Sequence, residues 1–284
     1  MDDPRLLIPL LLVVESLHYV FGRLLLPHMP PVTSSFLMMA VSAVELFVFA
    51  RGRISLAVGR RHWVFFSAIG LLVGVNTWMG FLAVSYIDPG TASLLARTSV
   101  IFGLAFGIFW LGERLERLEI VGALAAIAGV LVVSFQPGEI LRWGSLLVIG
   151  STFLYSLHAA IVKRWGGRIP FLDFFFYRVF CTTACLLLLV VPLGGLAWPG
   201  PTGWLLVIFA GTVDVVISRA LYYVALRRLD MSLLTLLLTL TPVVTMGWSF
   251  ALWGTRPSIQ EVLGGLAILS GVLVVTASRA GILK

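Results

Sequence analysis

Charge is what this chain of 284 residues has least of. Asp, Glu, Lys and Arg together make up 12% of it, against 60% hydrophobic residues, and the mean hydropathy is +1.04. A soluble globule cannot hide that much apolar surface, so the composition excludes one and points to a bilayer. Cysteine is nearly absent. The two present, Cys181 and Cys185, lie four apart in an apolar run with no histidine beside them, which reads as small buried residues and not as a metal or redox pair. No metal and no cofactor are expected. The net charge of +7 does not gather on one soluble face; the basic residues stand between apolar segments, which excludes nucleic acid as a partner. Missing as well are a His-Glu-x-x-His pair and a Gly-x-Ser-x-Gly elbow, so an intramembrane enzyme has no motif to rest on.

What is present is a series of apolar runs. A helix needs about 20 residues to cross a hydrocarbon core about 30 Å thick, and ten segments qualify: 6–26, 32–50, 63–85, 89–111, 118–135, 143–162, 171–191, 203–226, 231–253 and 259–277. The first is too polar at Glu15 and His18 for a cleaved signal peptide and reads as a retained span. With the N-terminus in the cytoplasm, the inner ends hold 14 of the Lys and Arg residues and the outer ends only Arg23, Arg142 and Arg256; Arg97, Arg178 and Arg219 fall inside spans. So strong an asymmetry places both termini in the cytoplasm, in a bacterial inner membrane.

The chain also repeats itself. Ser16-Leu17-His18 returns as Ser156-Leu157-His158. At an offset of 142 residues Asp88 meets Asp230, Glu119 meets Glu261, Gly122 meets Gly264, and GVLVV at 129–133 meets GVLVV at 271–275. The predicted fold is all-α, with ten transmembrane helices in two five-helix repeats, 1–138 and 139–284. Five is odd, so the second copy is inverted, an arrangement that puts a binding site near the midplane and allows alternating access.

The segment GERLERLEIVGALAAIAGVLVV at 112–133 closely resembles the Gly-Glu-Arg hallmark and glycine-spaced last helix of the EamA branch of the drug/metabolite transporters. GTRPSIQEVLGGLAILSGVLVV from 254 is similar but looser, with Thr255 in place of the usual Glu, and FYR at 176–178 and LTLTPVV at 238–244 also look like family features. The resemblance covers essentially the whole chain and implies a ten-span transporter. Three departures stand out against it: Ser16-Leu17 before His18 where Trp-Gly is common, Val100 in place of a proline, and Arg97 where an apolar residue is usual.

Ionisable residues in hydrocarbon are expensive and persist where they face a cavity or a partner. Glu15 has His18 and Tyr19 at i+3 and i+4, on one helix face; the trio reads either as a proton-titrating, ammonium-binding site or as an internal pair that locks helices. His158 is the counterpart of His18 in the other half. Arg97, matched by Thr239, offers a planar fork for a carboxylate or phosphate, or else neutralises Glu15. Asp214 and Arg219 are five apart, a spacing that predicts different faces and different partners. Arg178 and Glu45 lie near inner span ends and read as structural. Asn76 and Trp78 at mid-depth, with Tyr155 and Trp248, are candidates for touching cargo. Pro242, after Thr241, predicts a kink and flexing point midway along span nine.

Buried groups of both signs suit a secondary transporter of a small polar or zwitterionic metabolite, with amino acids or amines first, and with protons as the candidate coupling ion. A carrier for a lipid or lipid-linked anion stays open beside it, the three intramembrane arginines then meeting the headgroup. Membrane lipids are the expected surroundings, and the carrier is expected as a monomer or homodimer.

Overall fold

The computed structural model describes residues 4–50, 52–111, 116–135, 142–167, 169–193, 197–228 and 238–279. Every regular element among them is helical. In chain order these are α1 (Pro4–Ser16), α2 (His18–Leu25), α3 (Pro31–Ala50), α4 (Leu56–Arg61), α5 (Trp63–Ala83), α6 (Pro89–Leu95), a 3₁₀ turn (Ala96–Thr98) and α7 (Ser99–Leu111). Then come α8 (Arg117–Ser134), α9 (Trp143–Trp165), α10 (Phe171–Leu193), α11 (Pro201–Ala210), a π-helical segment (Gly211–Ile217), α12 (Ser218–Arg228), α13 (Thr241–Trp253) and α14 (Ile259–Arg279).

Among the described residues, eight helices are long and apolar enough to cross a membrane. They match eight of the ten expected spans. The chain is an integral, multi-pass membrane protein. The first expected span is a pair of helices interrupted at Leu17, and the first part of the ninth, 231–237, lies outside the described residues. Large apolar side chains such as Phe49, Phe109 and Leu188 point outward, 81%, 89% and 75% exposed, a surface suited to lipid and hostile to water.

Local chemistry sets several boundaries. Asp88 caps α6: its Oδ1 accepts from the Thr91 N–H at 3.1 Å, and Pro89 takes a first-turn position that needs no donor. Glu119 and Glu261 do matched work at α8 and α14. Glu119 accepts from the backbone N–H of Glu116 at 2.9 Å, and Glu261 from that of Ser258 at 2.8 Å, each side chain reaching back to the residue before its helix.

Helices without a water-driven attraction pack through small residues, and α8 against α14 is the largest such interface. A Cβ on Gly122 would stand 2.6 Å from the Gly271 carbonyl oxygen, and one on Gly129 would stand 2.6 Å from that of Gly264. The lower number on one helix thus meets the higher on the other, so the pair runs antiparallel with backbones in contact. Gly70 of α5 approaches the backbone of Cys181 on α10 in the same way. Cys181 and Cys185 are free, partly buried packing residues. One core cluster joins α2, α3, α5, α10 and α11, and a second joins α6, α8, α9 and α14, so each cluster takes in part of an interrupted span.

Candidate functional site

Four irregular stretches of backbone carry or border the buried polar residues. The first is the interruption at Leu17. The Leu17 N–H bonds the Val14 carbonyl three residues back at 3.2 Å, a tighter turn than the α-helix continues with. Neighbours satisfy what the interruption frees, as they must in hydrocarbon. The Ser16 carbonyl accepts from Thr245 Oγ1 at 3.1 Å, and the Ser16 hydroxyl accepts from Trp248 Nε1 at 3.1 Å. Serine 16 and Thr245 carry weight that reading the sequence missed, although Ser16 lies inside the repeated Ser-Leu-His triplet.

The second is the π-helical segment. It carries Asp214, whose Oδ2 lies 2.8 Å from His18 Nδ1. Just beyond it Ser218 donates from Oγ to Glu15 Oε1 at 2.5 Å, and Arg219 Nη1 lies 3.6 Å from the same oxygen. Asp214 and Arg219 do have different partners, but not because they face different ways. A π turn holds more residues than an α turn, so residues five apart both reach the one face of the first span that carries Glu15 and His18. The result is an ion pair, Glu15 with Arg219, beside a His18–Asp214 contact that becomes a second when the imidazole is protonated, both between the first and eighth spans. Ser218, beside Arg219, was not anticipated.

The third is the 3₁₀ turn, which holds Arg97. Arg97 donates from Nη1 to the Leu238 carbonyl at 2.9 Å, and its buried Nε has no partner among the described residues. Glu15, Tyr19 and Tyr155 lie within its electrostatic reach, yet the direct partners of Glu15 are Ser218 and Arg219. The fourth irregularity explains the Leu238 contact. Thr239 and Leu240 form a turn, and α13 begins at Thr241 with Pro242 in its first turn. Pro242 therefore starts a helix, where its missing N–H is harmless, and does not kink the middle of one. The Leu238 carbonyl, four residues before a residue without N–H, is left for Arg97 and for Thr241 Oγ1 at 2.6 Å.

The remaining candidates divide. Tyr19 sets its ring edge on His18 with centroids 5.0 Å apart, and Gly80 packs against both rings, a Cβ there standing 3.6 Å from Tyr19 and 3.9 Å from His18 Nε2. Tyr155 lies 5.6 Å from the His158 ring and within electrostatic reach of Arg97 and Arg219. His158 is 6% exposed. Trp78 packs against the first core cluster, whose Phe81 ring lies 5.4 Å from that of His18, and no hydrogen bond joins Asn76 to another described residue. Glu45 accepts from Thr212 Oγ1 at 2.6 Å, pinning α3 to the π-helical segment, and Arg178 acts electrostatically on His158.

The model of the EamA-like transporter family matches residues 6–135 and again 142–277. The chain belongs to the EamA-like transporter family. Known EamA relatives include a probable amino-acid metabolite efflux pump of Salmonella typhimurium, 23% identical over 93% of this chain and 92% of its own. The aromatic amino acid exporter YddG of Ancylobacter novellus is 27% identical over 81% and 77%. A probable terminal-alkyne amino-acid exporter of Streptantibioticus cattleyicolor is 25% identical over 69% and 67%. One crystal structure shares the fold, with a TM-score of 0.68 at 22% identity over 98% of both chains. The family and these named relatives are transporters and not enzymes. Two of the three sequence departures from EamA transporters noted above fall on the irregular backbone: Ser16-Leu17-His18 is the first interruption and Arg97 sits in the 3₁₀ turn, while Val100 lies in the first turn of α7.

Proposed function

We propose that this EamA-family chain is a secondary transporter that moves a small zwitterionic metabolite, an amino acid in the first place, by alternating access between two inverted five-helix halves. The observation that carries the reading is the pairing of Glu15 with Arg219 beside that of His18 with Asp214, between an interrupted first span and a π-helical eighth. In low dielectric, pulling apart a partly buried pair leaves two charges uncompensated, which costs free energy. A zwitterion lowers that barrier because it brings one charge of each sign: its ammonium replaces Arg219 at Glu15, and its carboxylate replaces Glu15 at Arg219. The empty carrier is then held by its own pairs and released by cargo, and amines or acids alone relieve only half the penalty. Arg97, with Nη1 held by Leu238, offers its remaining donors as a second contact for the acid group.

The matched glycine pairs support the inverted repeat. Gly122 meets Gly271 and Gly129 meets Gly264, while the repeat equates Gly122 with Gly264 and Gly129 with Gly271, the relation an in-plane two-fold axis between α8 and α14 would produce. The matched caps at Glu119 and Glu261 and the matched turns at Arg97 and Thr239 agree with it. The ten-span reading with both termini in the cytoplasm of a bacterial inner membrane rests on the basic-residue asymmetry. His18 with Asp214 is the proposed proton site, since imidazole titrates in the physiological range.

The test is uptake of radiolabelled amino acids into proteoliposomes holding the purified chain, with a thermal-shift screen of amino acids, amines and lipids beside it. Zwitterion uptake lost in Glu15→Gln supports the reading. Stabilisation by anionic lipid alone, with no amino acid bound, would replace it with a lipid carrier.

A further inference from the structure

His158 is a buried polar side chain that the proposed cycle leaves unused. It is 6% exposed, and neither Nδ1 nor Nε2 makes a hydrogen bond of good geometry among the described residues, the backbone of Tyr155 one turn earlier offering the ring a strained contact at most. An imidazole presents at least one N–H, and burying that donor without an acceptor carries a desolvation penalty. Its surroundings indicate what is missing. Tyr155, one turn earlier, lies 5.6 Å away ring to ring, and the charged groups that act on His158 are Arg178 and Arg219. Both are cations, and no carboxylate is among them.

His18, the counterpart of His158 at an offset of 140 residues, is satisfied by Asp214 at 2.8 Å. The position that would answer Asp214 in the first half is Gly74 at that offset, or Leu72 at the offset of 142 that fits the later helices. Neither can supply an acid. Of the two matched histidines, His18 has an internal carboxylate and His158 has none among the described residues. We infer that His158, together with Arg219, receives the oxyanion of the cargo, which takes the place at His158 that Asp214 takes at His18. The inference rests on the transporter reading above and deepens it: His158 becomes the residue that separates acid-bearing cargo from simple amines.

Binding is measured by calorimetry on the full chain in detergent. The probes are L-leucine and L-phenylalanine, the amines isoamylamine and 2-phenylethylamine that lack their carboxyl groups, acetate, and inorganic phosphate. For His158→Phe the amino acids bind at least about tenfold more weakly, amine binding changes by less than about twofold, and the melting temperature holds or rises because an unmatched donor has gone. His158→Gln, which keeps an N–H, recovers part of the affinity. Equal weakening of amino acids and amines, or unchanged amino-acid affinity, overturns the inference. ¹⁵N-histidine spectra give a readout independent of transport: acetate moves the resonances that His158→Phe removes. A response to phosphate alone assigns the oxyanion as phosphoryl, and no response to any anion overturns the inference. Should acetate act at His158 while no amino acid binds, the zwitterion reading fails and the oxyanion site stands.

Discussion

Arg97 donates to the carbonyl of Leu238, 141 residues away, and so joins the 3₁₀ turn of the fourth span to the turn that opens α13. At an offset of 142 these two turns are the same place in the two halves of the chain. The latch and the proposed cargo contact make separate demands on one side chain. Arg97→Gln is expected to lower both the melting temperature and the affinity for zwitterions, and Arg97→Lys to restore the first more than the second, because an ammonium keeps charge and loses the planar fork. A melting loss with unchanged affinity would remove the cargo role; an affinity loss with unchanged melting would remove the latch.

Glu15 and Arg219 stand as a pair of opposite charges, so single neutralisations leave one charge stranded. Glu15→Gln and Arg219→Gln are each expected to destabilise the purified protein by about 2–3 kcal/mol, and the double variant by less than their sum. Additive losses in denaturant titrations of the reconstituted chain would show that the two groups do not stabilise one another.

His18 and Asp214 carry the proposed proton. Transport by the wild type is expected to vary across about pH 5–8, the range in which an imidazole changes charge. His18→Gln or Asp214→Asn should flatten that profile while leaving counterflow exchange measurable. A profile unchanged in both variants would assign coupling elsewhere or remove it.

Gly122 and Gly129 admit no side chain. Gly122→Val and Gly129→Val are expected to cost at least about 2 kcal/mol each through overpacking, because the nearest atoms they would meet are backbone oxygens of the opposing helix, with the branched side chains of Val275 and Ile268 just behind. Gly247, which faces open space, is the control: Gly247→Ala should leave the melting temperature within a degree or two. Equal melting of the α8 variants and the control would contradict the close approach.

Topology is accessible to labelling in intact cells. Cysteines placed near Pro30 and Pro199 should react with an external reagent, whereas those near Gly59 and Gly167 should be protected. External labelling at Gly167 would break the inverted arrangement.

The spans were legible because a run of about 20 apolar residues has few other uses. Their interruptions were not. Leu17 is a good helix former, and the π-helical segment GTVDVVI holds nothing that forbids an ordinary helix. The interruption at Leu17 is stabilised from far along the chain, by Thr245 and Trp248 against Ser16, and no local pattern encodes that. The same limit explains Asp214 and Arg219, whose five-residue spacing was read on an α-helical wheel, and Pro242, which looked like a kink until the turn before it placed it at a helix start. Glu15, His18 and Arg97 were visible because a charge in hydrocarbon needs a reason. Which partner each would find depended on the packing.

The glycine contacts between α8 and α14 also limit how the molecule can move. Where two backbones touch, sliding one helix along the other by a single residue would drive Val130 or Ile268 into a space sized for a hydrogen atom. Such a seam would act as an axle that tolerates rotation better than shear. The proposed alternating-access cycle would then pivot about it, with the greatest travel at the spans lying farthest from the axle.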